Sequence, residues 1–151
     1  MKADTIIECL NNLINDFTEL KQIYSEKQKV LINFNFSDFQ NVTRLEENAL
    51  LKVQTDDKKR ESLRRELLKI TGTHEAKNQI LKFSDILLKK VPTNIVHEVK
   101  AKEIELKDVI NDVMKVNRVN LILIEHKKSF INEFLRLIYN KQNTSFVNRK
   151  I

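Results

Sequence analysis

The residues that make turns are almost missing from this sequence. Its 151 residues include one glycine, Gly72, and one proline, Pro92. A fold of many strands needs turns at short intervals, and a loop that cradles phosphate needs several glycines. There is no tryptophan, and the only cysteine, Cys9, cannot form an internal disulfide. These absences exclude a nucleotide-binding loop in practice, argue against an all-β fold, and favour long helices.

Long apolar runs are also missing. The first residues, MKADTIIECLNN, contain Asp4 and Glu8, so we expect no signal peptide and no membrane insertion, and predict a cytoplasmic protein. Hydrophobic residues make up 41% and charged residues 32% of the chain, a composition typical of helical bundles. The length fits a single helical domain over 1–151, in which the polar segment 140–151 is expected to be a mobile tail.

Hydrophobic periodicity predicts the first helices. Apolar residues alternate at spacings of four and three from Ile6 onward, skipping Lys27, and indicate a helix over about 4–33. A second helix should begin at a capping box of Ser37 and Gln40 and stop at Gly72. A shorter third helix is expected between the turn at 71–74 and Pro92.

The last helix has the most regular pattern. From Val96 to Ile138 its core positions alternate at three and four residues without a slip. We therefore predict an all-α fold, an elongated antiparallel helical bundle or coiled coil of three to four helices. Its last helix, 94–139, would be very long, at about 70 Å.

Two consecutive core positions of this last helix are asparagines, Asn117 and Asn120. A buried amide lowers stability but can select register and partner number. One interpretation is that both bond to polar groups on an adjacent helix or to water. The other is that this part of the helix is not permanently buried and receives a segment of a partner.

Three stretches of the sequence resemble the FlgN-type flagellar export chaperones, which hold hook-filament junction proteins before secretion. They are SEKQKVLINFNFSDF, RLEENALLKVQTDDKKRESLRREL and VNRVNLILI. The family's "keq..L...d...l..l...E..ll" stretch, its arginine-containing continuation and its "N..N..L" element match residues in all three. The matching residues are Glu26, Lys27, Gln28, Leu31, Phe39, Leu45, Glu46, Glu47, Leu50, Leu51, Arg60, Asn117, Asn120 and Leu121.

The resemblance implies a cytosolic chaperone that binds the C-terminal helical segments of hook-associated proteins and delivers them to the flagellar type III export gate. In the family, client contact is attributed mainly to the C-terminal portion, which assigns a region here rather than single residues. The predicted partner-binding residues are Asn117, Asn120, Ile124, Phe130, Ile131, Phe134, Leu135, Ile138 and Tyr139. An alternative is that Phe130, Phe134 and Ile138 pack against the first helix.

The sequence offers little for catalysis. His74, His97 and His126 lie far apart in polar contexts, and Cys9 is better explained as a small buried hydrophobe than as a nucleophile. We therefore predict no enzyme activity, metal or cofactor.

Two other functions stay open. A generic coiled-coil scaffold, including a homodimer, explains the heptads equally well. The net charge of +6 permits nucleic-acid binding through phosphate contacts, but we expect no nucleic-acid partner because aromatic stacking platforms and a recognition module are missing. The candidate phosphate contacts would be Lys58, Lys59, Arg60, Arg64 and Arg65.

Overall fold

A computed structural model of the chain describes the backbone of residues 3–150 and the side chains of residues 3–140. Over this range the chain is helical and contains no strand, so the all-α prediction is confirmed. The five helices within this range are α1 (Ala3–Ile32), α2 (Phe36–Thr71), α3 (Phe83–Leu87), α4 (Thr93–His126) and α5 (Lys128–Lys150). The structure does not test the predicted mobility of the tail 140–151, because the side chains of 141–151 lie outside the described residues.

Helix α1 is the centre of the bundle, since both α2 and α4 pack along it. A turn at 33–35 reverses the chain, so α2 runs antiparallel to α1, and α4 runs parallel to α1. The N-cap of α2 is Asn35, whose Oδ1 accepts a hydrogen bond of 3.1 Å from the amide of Asp38. The predicted capping box at Ser37 is therefore wrong by two residues.

Three apolar clusters follow one another along the bundle. At one end Ile6 and Leu10 of α1 pack with Leu67 of α2 and with Val96 and Val99 of α4. The middle cluster is formed by Leu20, Tyr24, Ala49 and Val113. At the far end the cluster consists of Leu31, Phe39, Ile131 and Phe134. This order shows that the four-three pattern of α1 faces two neighbouring helices along its whole length.

The single glycine ends α2 as predicted. Gly72 has φ of 61°, a left-handed conformation that glycine adopts without steric cost, and its amide caps carbonyls of the last turn of α2. The predicted third helix is largely absent, because only Phe83–Leu87 is helical. Arg64 of α2 explains part of this, since it bonds Glu75 and the carbonyl of Leu81 and so holds an extended loop against the bundle.

The prediction of one very long last helix is wrong. It is divided at Lys127 into α4 and α5, and the amide of Lys127 is shared among carbonyls of the last turn of α4. The heptad pattern places Lys127 at a core position, where a lysine ammonium cannot be buried without a partner. Lys127 is half-exposed at this break, while Ile131 and Phe134 are buried against the turn between α1 and α2.

Candidate functional site

The nine predicted partner-binding residues fall into three groups in the structure. Asn120, Ile131 and Phe134 are buried; Asn117, Ile124 and Ile138 are half-buried; and Phe130, Leu135 and Tyr139 are exposed. The three buried residues are already part of the core of the bundle. Only the third group is open to a partner without any rearrangement.

Asn120 joins α4 to α1. Its Nδ2 donates a hydrogen bond of 2.9 Å to the backbone carbonyl of Tyr24, and the side chain is completely buried. For Asn120, this bond agrees with the interpretation that the asparagines bond to polar groups on an adjacent helix. The Oδ1 atom of Asn120 is buried without a hydrogen-bond partner in the described part of the chain. Asn120 therefore sets the register of α4 on α1 at a cost in stability.

Replacing Asn120 by leucine is expected to raise the free energy of unfolding by about 1 kcal/mol, because it removes a half-satisfied buried amide. Thermal unfolding followed by circular dichroism measures the change. Asn117→Leu, at a half-buried position, is the matched control and should have a smaller effect. A lower melting temperature for Asn120→Leu would mean that the bond to Tyr24 outweighs the unpaired oxygen.

A second buried polar group lies between α1 and α2, about one turn along α1 from Tyr24. Lys27, only 8% exposed, forms an ion pair of 2.5 Å with Glu46. Burial and the neighbouring Glu46 carboxylate, which accepts a hydrogen bond from the phenol, raise the pKa of Tyr24 to about 12. Lys27 and Glu46 are two of the residues that carry the family resemblance. Their buried pairing gives both a structural role.

An aromatic cluster forms the end of the bundle at the turn between α1 and α2. The ring of Phe134 on α5 lies 4.9 Å from that of Phe36 and 5.7 Å from that of Phe39, between centroids. Phe34 contacts the same group and also the ring of Phe130, at 6.4 Å. Tilted and edge-to-face ring contacts of this kind are favourable. They hold the start of α5 on the bundle.

Beyond this cluster α5 exposes apolar side chains on both sides of its buried residues. The spacing of the exposed residues places Phe130 and Leu137 on one flank and Leu135 and Tyr139 on the other. We call these four residues the α5 surface. A shallow depression of about 520 Å³ lies beside Leu135 and Tyr139. Leu121 and Ile122 of α4 are also exposed, at 57% and 56%.

The basic run of α2 is largely neutralised by its own acidic neighbours. Lys59 pairs with Asp56, Arg60 with Asp57, and both Arg64 and Arg65 with Glu61. Charges that are already paired release few counterions when they meet phosphate. This pairing argues against α2 as a nucleic-acid surface.

The protonated carboxyl of Asp16 on α1 donates a hydrogen bond to the carboxylate of Asp56 on α2. Burial and this bond raise the pKa of Asp16 to about 6, while the bonds from Lys59 and Asp16 lower the pKa of Asp56. At neutral pH the ionised Asp16 is therefore a source of instability. One of its oxygens is buried without a partner in the described residues.

The stability of the protein should consequently depend on pH near 6. Because the folded-state pKa of Asp16 lies above its ordinary value, the contribution of this group is fully present below about pH 4 and is lost as the pH rises through 6. Asp16→Asn should raise the free energy of unfolding by roughly 1–2 kcal/mol at pH 7.5 and by little at pH 4. Asp108→Asn, an exposed site on α4, is the control. An equal gain for Asp16→Asn at both pH values would refute this account.

Reactive groups do not come together in the described part of the chain. Burial raises the pKa of the half-buried Cys9 thiol, which makes it a poorer nucleophile. Within residues 3–140, no three His, Cys, Asp or Glu side chains are grouped as metal ligands.

A comparison with protein families identifies the class of this helical bundle. The family model described as FlgN protein matches residues 1–148, so the chain belongs to the FlgN family, and the suspected resemblance is confirmed. Membership supports a role as a flagellar export chaperone in general. No curated protein and no solved structure gives a match. None of the helices within the described range is long and apolar enough to span a membrane.

Proposed function

We propose that this protein binds the C-terminal helical segments of hook-associated proteins in the cytosol, prevents their premature assembly and delivers them to the flagellar export gate. The observation that supports this proposal is the α5 surface. Its residues Phe130, Leu135, Leu137 and Tyr139 are between 50% and 64% exposed. Exposed apolar side chains grouped on one helix are typical of a surface that another helix covers.

The position of the α5 surface suits a chaperone. Ile131 and Phe134 anchor α5 to the bundle, so both apolar flanks are presented from a fixed support. A client helix that places its own apolar face against Leu135 and Tyr139 would be shielded from other copies of itself. Such shielding requires burial of apolar area and no nucleotide.

A second candidate function follows from the same exposed residues. Two copies of the chain could cover the α5 surface by pairing their α5 helices, which would make the protein a homodimeric scaffold. Sedimentation equilibrium over a hundredfold range of concentration distinguishes the two functions. A monomer throughout that range favours the chaperone, and a dimer that excludes the client favours the scaffold.

Calorimetric titration with the C-terminal segments of the first and third hook-associated proteins of the source organism tests the proposal directly. We expect one-to-one binding with a negative heat-capacity change, because apolar surface is buried. Binding should change little between two salt concentrations, since the α5 surface is mainly apolar. Absence of binding to either segment would refute the proposed clients and leave only the family-level role.

A further inference from the structure

An apolar groove lies in the half of the bundle away from α5. Its base is formed by α1, one wall by α2, and the other wall by α4 and the loop before α3, and its volume is about 670 Å³. Its apolar residues are Leu10, Leu13, Phe17, Val53, Ile80, Leu81, Phe83, Leu106 and Ile110. Ile80 at the rim is 78% exposed. We call this cavity the α2–α4 groove.

The groove follows from how the helices are arranged. Helices α2 and α4 both pack on α1, and between themselves they make no comparable interface within the described residues. At the far end of the bundle α5 packs over the cluster around Phe39. In the half that contains the groove only the short α3 and its loop accompany the three long helices, so the position that a fourth helix would take there is open.

The dimensions fit a short helix. The groove extends from Glu103 to Asn111 on α4 and from Val53 to Arg64 on α2. At 1.5 Å per residue these stretches are about 12 Å and 17 Å long. A groove of that length accommodates two to three helical turns, which present apolar side chains at i, i+4 and i+7.

The charged residues at the rim of the groove indicate which charge a bound partner should carry. Of its two acidic residues, Asp57 is paired with Arg60, whereas Glu103 accepts hydrogen bonds from the neutral Ser84, which satisfy its oxygens but leave its negative charge. The exposed Lys82 and Lys107 form no ion pair within the described residues. Lys82 and Lys107 together outweigh the single negative charge of Glu103, so the wall formed by α4 and the loop before α3 has a net positive charge beside an apolar base.

We propose that the α2–α4 groove binds one amphipathic helix of a partner protein, with an apolar face of two to three turns and acidic residues along the flank that faces α4 and the loop before α3. The α5 helix of a second copy is a poor occupant. Residues 128–150 contain five basic residues and one acidic residue, so their charge repels Lys82 and Lys107. An acidic flank would instead pair with both lysines and complete a four-helix arrangement.

Two synthetic helical peptides test this proposal on the full chain. Both have leucine at i, i+4, i+7 and i+11; one has glutamate and the other lysine at the flanking positions. Methyl and amide NMR titration at low salt should show that the acidic peptide binds about tenfold more tightly. The resonances that shift should belong to Ile80, Leu106 and Ile110. Equal affinity for the two peptides, or shifts confined to α5, would overturn the proposal.

A charge-reversal variant provides the second test. Lys82→Glu with Lys107→Glu changes two exposed side chains, so the fold should be retained, and circular dichroism checks this. The variant should reverse the preference and bind the basic peptide more tightly. Ile80→Ser should weaken the binding of both peptides. An unchanged preference in the double variant would show that these lysines do not select the partner. None of these measurements uses a hook-associated protein, so their outcome is independent of the proposed function.

Discussion

Lys27→Met should lower the free energy of unfolding by about 3 kcal/mol, because it leaves the carboxylate of Glu46 buried without its cation. The ammonium of Lys27 and this carboxylate are 2.5 Å apart, and their side chains are only 11% and 15% exposed. For a chain of this length the melting temperature should fall by about 6–12 °C. Thermal denaturation at pH 7 measures the effect.

Two further variants show whether the loss comes from the unpaired charge. Lys27→Met combined with Glu46→Leu removes both charges and should recover most of the lost stability. Lys52→Met breaks a pair that also joins α1 to α2, between Lys52 and Glu19 at 3.1 Å, but at 58% and 47% exposure. We expect that control to cost less than about 1 kcal/mol. Equal losses for Lys27→Met and Lys52→Met would mean that burial does not determine how much these ion pairs contribute to the free energy of unfolding.

Leu135→Asp combined with Tyr139→Asp should weaken client binding by about a hundredfold with almost no change in melting temperature. Both side chains are at least half exposed in the free protein, so aspartate there costs the fold little. In the complex each aspartate would place a charge in an apolar contact. Calorimetric titration with the client segment measures the affinity.

The matched control lies on α2, where Leu45 and Leu51 are 54% and 60% exposed. Leu45→Asp with Leu51→Asp adds the same charge at similar exposure and should leave client affinity unchanged. Phe134→Asp is a different case, because Phe134 is 8% exposed and packs in the aromatic cluster. That variant should lose about 3–5 kcal/mol of stability, which would confuse a binding measurement. Equal loss of affinity in the α2 control would contradict a specific α5 surface.

The sequence pattern predicts most of the helical framework. The four-three alternation gives α1 to within a residue, and Gly72 marks the end of α2. Heptad periodicity does not predict the division at Lys127, because the pattern continues through that residue. Periodicity indicates which side chains face the core, and a break of one residue leaves that order unchanged.

The contacts between helices are harder to predict from the sequence than the helices themselves. Lys27 stands out as a charge at a core position, yet nothing local identifies Glu46 as its partner. Asn120 donates to the backbone carbonyl of Tyr24. Because every residue has a backbone carbonyl, the side-chain pattern cannot identify this acceptor. The α2–α4 groove depends on two helices that share α1 without closing on each other, and only the assembled structure shows this.

The central position of α1 has a consequence for the order of folding. Helices α1 and α2 are joined by a three-residue turn at 33–35, so their hairpin needs only a short loop closure. Helix α4 meets α1 through contacts as distant in sequence as Tyr24 and Asn120, which are 96 residues apart, and its docking carries the larger entropic cost. We therefore expect the hairpin to form early and α4 to join last. Substitutions at the interface of α4 with α1 should then mainly speed unfolding, whereas those between α1 and α2 should slow folding.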